Sequence, residues 1–115
     1  MKSLLAVILA FAASDAFAAL ECTAVSRSTD GKRIETKALP SVFKSTQVEK
    51  WETEIGLHHF SVTQHLDTDE YVLMITRGPA YMDGAALRAA MPKSGEIRAS
   101  FVAPEETQRL ICRLL

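Results

Sequence analysis

Two cysteines, Cys22 and Cys112, are the only thiols in this 115-residue chain. Thiols can ligate a metal, exchange disulfides or staple a fold. No Cys-x-x-Cys spacing is present, so neither a thioredoxin-like redox pair nor a zinc knuckle can be assembled from them. As partners in a structural disulfide they would close almost the whole chain into one loop, which in the chain-entropy model restricts the unfolded state by about 4 to 5 kcal/mol. That is comparable to the net stability of many small domains.

The three histidines, His58, His59 and His65, are the residues that could hold a metal or serve as a base. On a strand, His59 and His65 share a face but stand about 20 Å apart, too far for one ion. His58 and His59 point to opposite faces. Ser61 shares a face with His59, so a small hydrolase or metal-dependent enzyme would centre on His58, His59 and Ser61. No Gly-x-Ser-x-Gly, His-Glu-x-x-His or phosphate-cradling glycine loop supports it. Asp67-Thr68-Asp69-Glu70 resembles the start of a calcium loop, but Tyr71 and Val72 fall where the next acid and the glycine belong. A polar turn explains those acids. We therefore expect neither metal nor cofactor.

Recognition is the remaining chemistry. Glu49, Glu52, Glu54, Asp67, Asp69 and Glu70 stand against Lys50 alone between positions 49 and 70, while the whole chain carries a net charge of only −1. Together with Trp51, the single tryptophan, they make a candidate interaction face, although solvated strand edges and a core tryptophan account for the same residues. Tyr81 and Met82 follow Gly78-Pro79 and fit no strand alternation, so a binding loop is a second candidate. The overall charge balance gives no electrostatic case for nucleic acid. The absence of asparagine removes any N-glycosylation acceptor.

The elements that would position these residues begin after an export signal. Lys2, the unbroken apolar run 4–13 and Ala16-Phe17-Ala18 read as a secretory signal cleaved after Ala18. The run is too short to span a bilayer. Glu21 argues against lipidation of Cys22, because small residues are expected before a lipidated cysteine. Residues 19–115 are then one disulfide-closed domain in an oxidising compartment, with no transmembrane segment after cleavage.

Within it, residues 20–27 alternate as a strand, Asp30-Gly31 turns, 33–38 return, and Pro40 stops the ladder. Residues 46–56 can be read as a capped helix or as a strand, and the strand is preferred because a hairpin of similar spacing follows at 60–66 and 71–75. Residues 83–91 remain open, since Asp83 could cap a short helix near 84–91 while Ala85, Leu87, Ala89 and Met91 also alternate. Strands at 97–103 and 108–114 close the chain. Cys22 and Cys112 occupy matching positions on the first and last strands, so those strands should be neighbours.

The fold expected is all-β: a small antiparallel meander of about seven strands, forming a sandwich or small barrel with its terminal strands joined by a disulfide. The function expected is a small exported, non-catalytic binding or interaction domain, bacterial periplasmic or secreted, acting on an envelope or secreted protein. The alternatives are the small hydrolase above and an inhibitor of a secreted hydrolase. Ligand carriage inside a barrel would need an open interior, for which a chain this short leaves little room.

Overall fold

The computed structural model describes residues 20–78 and 83–115. The expected signal segment 1–18, and the loop residues Tyr81 and Met82, lie outside the described residues. Nine strands and no helix are found among those described: β1 (Leu20–Ser28), β2 (Ile34–Ala38), β3 (Ser41–Lys44), β4 (Val48–Ile55), β5 (His58–His65), β6 (Glu70–Arg77), β7 (Asp83–Ala90), β8 (Glu96–Val102) and β9 (Glu106–Leu114). They make two antiparallel sheets, β2-β1-β9-β8 and β3-β4-β5-β6-β7, stacked as a sandwich. The five-stranded sheet is a sequential meander. The four-stranded sheet joins the two ends of the chain.

The sequence expectation of about seven strands falls short at two places. Past Pro40 the backbone pairs again as β3 on the edge beside β4, with a register shift between Ser41 and Phe43. Pro40 ends one ladder and begins another. Leu39 N–H still donates to Cys22 O in the first sheet at 2.9 Å, while Pro40 O accepts from Glu52 N–H in the second at 3.3 Å. The segment left open at 83–91 is a strand, not a helix: β7 pairs along the full length of β6, from Glu70↔Ala90 to Arg77↔Asp83. Two helical turns of alanine would leave that edge of β6 unpaired. The strand instead pairs it and turns Leu87, Ala89 and Met91 against the core. Residues 48–55 are likewise a strand.

Turn chemistry fixes the registers. Gly56 takes φ of +59° in the two-residue β4–β5 connection, and Asp69 takes φ of +57° before β6. Positive φ is natural for glycine and tolerated by aspartate. The extent of the β6–β7 ladder depends on Gly84, where a Cβ would collide with the carbonyl oxygen of Ile75.

Alternation along each strand sends one set of side chains between the sheets. Phe60, Val62, Leu73, Ile75 and Leu110 are fully buried there, with Trp51 at 5% exposure. Each large apolar side chain so placed contributes roughly 1.5–3 kcal/mol. The disulfide lies in the same layer. Cys22 and Cys112 are directly opposed in the β1–β9 ladder and are bonded to each other. Because Cys22 O is taken by Leu39 on the other side of β1, the cysteines form a non-hydrogen-bonded pair, the kind in which opposed Cα atoms come closest. Their Cα atoms are 4.1 Å apart. A disulfide between these strands is the kind that an oxidising, extracellular-type environment maintains. No described helix is long and apolar enough to cross a membrane.

Candidate functional site

The inner layer changes character from one end of the sandwich to the other. Around the disulfide it is apolar, but two residues further along each strand the same inward positions turn polar. On β1, Cys22 and Ala24 give way to Ser26 and Ser28; on β9, Cys112 and Leu110 give way to Gln108 and Glu106. On β5 the residue before Phe60 on that face is His58, and on β6 the one after Ile75 is Arg77. Arg33 and Glu35 complete the layer from the β2 side. Ser26, Ser28, Arg33, Glu35, His58 and Arg77 line a cavity of about 480 Å³ at this end, together with Gly56 and Leu57 of the β4–β5 turn and with Glu105 and Glu106; Gln108 is not part of its lining. That volume is within the range of small-molecule sites.

His58 is the buried titratable residue of that lining. Its side chain is 4% exposed, with Nδ1 4.0 Å from Glu106 Oε1 and its ring 6.1 Å from that of Phe101, tilted by 59°. Burial holds its pKa below the usual 6.5; Glu106 opposes that shift and the charge of Arg77 adds to it. The imidazole is therefore neutral at neutral pH, with one nitrogen donating and the other accepting. Nε2 is buried without a hydrogen-bond partner among the described residues, as are both side-chain amide atoms of Gln108. Gln108 is 1% exposed, and it stands opposite Ser26 on one side and Phe101 on the other. Native folds leave few such atoms unpaired, and each costs about 1–3 kcal/mol.

Near the mouth, Ser28 is already committed to the β1–β2 turn. Its Oγ donates to Asp30 Oδ1 at 2.7 Å and accepts from Arg33 N–H at 3.0 Å. The same carboxylate accepts from Lys32 N–H, and these two hydrogen bonds hold the Asp30 pKa below its ordinary value. The serine is thus an architectural part of the rim. The cavity offers hydrogen-bonding groups and charges of both signs, which suit binding.

The hydrolase centre considered from sequence is divided by the pleat. His58 faces inward, while His59 and Ser61 face outward from β5. His59 lies between Glu52 and Glu54, with Nε2 3.4 Å from Glu52 Oε2 and Nδ1 3.6 Å from Glu54 Oε1. Among the described residues no group of three His, Cys, Asp or Glu side chains is placed to hold a metal ion.

The acidic stretch is spread over several surroundings. Glu49 is nearly buried, accepting from Ser41 Oγ at 2.8 Å, with Lys44 Nζ 4.0 Å away. Trp51 packs in the core. Glu52 is paired with Lys50 at 2.9 Å. Asp67 and Asp69 are exposed in the β5–β6 turn. Glu70 accepts two bonds from Arg88 across β6 and β7, each 3.2 Å, which lower its pKa.

Sequence reasoning missed Ser26, Arg33, Glu35, Arg77, Glu106 and Gln108. A signal for them was present: reading the inward positions strand by strand, the apolar residue is replaced by a polar one at the same end each time. Finding it required the strand register, which fixes which ends coincide. No protein-family model, curated protein or solved structure matches this chain.

Proposed function

We propose that this protein is a small exported, non-catalytic binding domain that receives its ligand in the cavity at the polar end of the sandwich. The observation that carries the reading is the cavity lining itself, where the buried His58 stands among Arg33, Arg77, Glu35, Glu105 and Glu106. A ligand with polar and charged groups would take charge-assisted bonds from that lining. Export rests on the signal-like first 18 residues and on a disulfide that an oxidising compartment would maintain. The exported protein should begin at Ala19 and weigh two hydrogens less than its sequence, which intact-mass spectrometry measures.

The binding reading is tested by nuclear magnetic resonance on the oxidised protein, titrated with low-molecular-weight extract of the native extracellular fluid. Amide shifts should concentrate at Ser26, His58, Arg77 and Glu106. Shifts confined to the outer face of β4 and β5 would overturn it. So would turnover of a substrate abolished by one polar substitution in the cavity.

A further inference from the structure

We infer that the cavity selects a small zwitterion, a molecule carrying both a carboxylate and an ammonium group, as a free amino acid or a short peptide does. This rests on the cavity being the binding site and specifies what it takes. Arg33, Arg77, Glu35 and Glu105 all border it, yet among the described residues none of these four forms an ion pair within 4.0 Å with another. Elsewhere the protein pairs opposite charges readily, as in Arg98–Glu96 at 2.7 Å and Lys50–Glu52 at 2.9 Å. At the cavity, Arg77 and Glu35 come from different sheets. Arg77 is fixed opposite His58, and Glu35 opposite Ser26 on the other sheet.

A ligand of one charge would meet attraction from half of that rim and repulsion from the other half. Phosphate and polyanions would face Glu35, Glu105 and Glu106, and a simple cation would face two guanidinium groups. A zwitterion satisfies both signs, its carboxylate taking charge-assisted bonds from arginine and its ammonium giving them to glutamate.

The test is calorimetric titration of the oxidised full-length protein with L-glutamine and with trialanine. The controls are N-acetyl-L-glutamine, which keeps only the carboxylate, glutamine α-amide, which keeps only the ammonium, and glucose, which carries no charge. At least one of the two zwitterions should bind, and whichever binds separates a free amino acid from a peptide. Blocking either charge of glutamine, or replacing trialanine by its N-acetylated or amidated form, should weaken binding by roughly tenfold or more. Arg77→Gln should weaken zwitterions while strengthening whatever residual binding the ammonium-only compound has, by removing a repelling charge, and Glu35→Gln should weaken zwitterions while strengthening that of the carboxylate-only compound. Both residues are exposed, so each variant should fold, which a circular dichroism melt checks. The inference is overturned if neither zwitterion binds at millimolar concentration, or if glucose or a singly charged control binds as tightly. Glucose shifting the Ser26 and His58 amides would remove the zwitterion and leave the binding-site reading standing.

Discussion

Leu110 and Gln108 stand two residues apart on the inner face of β9, at 0% and 1% exposure, and they represent opposite ends of one sandwich. At Leu110 the space between the sheets is filled by apolar side chains and crossed by a disulfide. Gln108 is just as buried, yet both polar atoms of its amide lack partners, and the space beyond it opens into the charged cavity. Burial alone therefore does not define the core of this protein. One end is optimised for stability, and the other retains a cost that stability alone would remove.

The largest expected effect lies at the sealed end. Reducing the disulfide, or replacing Cys22 and Cys112 together by serine, should lower stability by roughly 2–5 kcal/mol, read as a shift of the urea midpoint. Next come two substitutions on β9 that should have opposite signs. Leu110→Ala should cost about 2–5 kcal/mol through the cavity it leaves. Gln108→Leu should be neutral or stabilise by up to about 3 kcal/mol, because it removes a buried amide that has no partner. Urea unfolding of the two variants side by side decides it, and a clear loss for Gln108→Leu would show that the two ends are built alike.

A smaller effect separates the ends by pH. With the His58 pKa lowered from 6.5 by burial, opposed by Glu106 and reinforced by Arg77, the folded state binds fewer protons than the unfolded chain below about pH 6.5. The contribution of neutral His58 is therefore complete above that pH and is lost as pH falls towards the folded value. Subtracting the stability profile of His58→Gln from that of the wild type should isolate this slope, and parallel profiles would contradict it. Smallest of all is Arg88→Ala on the outer face. Its bonds to Glu70 are solvent-exposed, and the urea midpoint should stay within the scatter of repeat measurements.

How much of this was legible depends on what each feature requires. The disulfide could be read because matching inward positions on two alternating strands are a local pattern repeated twice. The 60–66 and 71–75 hairpin could be read because its turn is polar and its strands are apolar on one side. Strand β7 could not be settled, since alanines at 85, 86, 89 and 90 favour helix locally and only the open edge of β6 makes them a strand. Strand β3 was hidden by Pro40, which does end a ladder, though the chain then starts another. The cavity was the least legible. Ser26, His58, Arg77 and Glu106 belong to four strands, and only the strand register shows that their polar ends meet. What singled out His58 in the sequence was its neighbour His59, which the pleat sends to the other face.

The pairing of β1 with β9 also decides where mechanical load would travel. Leu20 lies opposite Leu114, so tension applied to the two ends of the domain would peel these strands apart one residue pair at a time, as in opening a zipper. It would stop at the next inward pair, where Cys22 is bonded to Cys112. Beyond that point the force would pass through two sulfur atoms and bypass everything between them. A pulled domain should thus lengthen by only a few residues, leaving both sheets and the cavity unloaded.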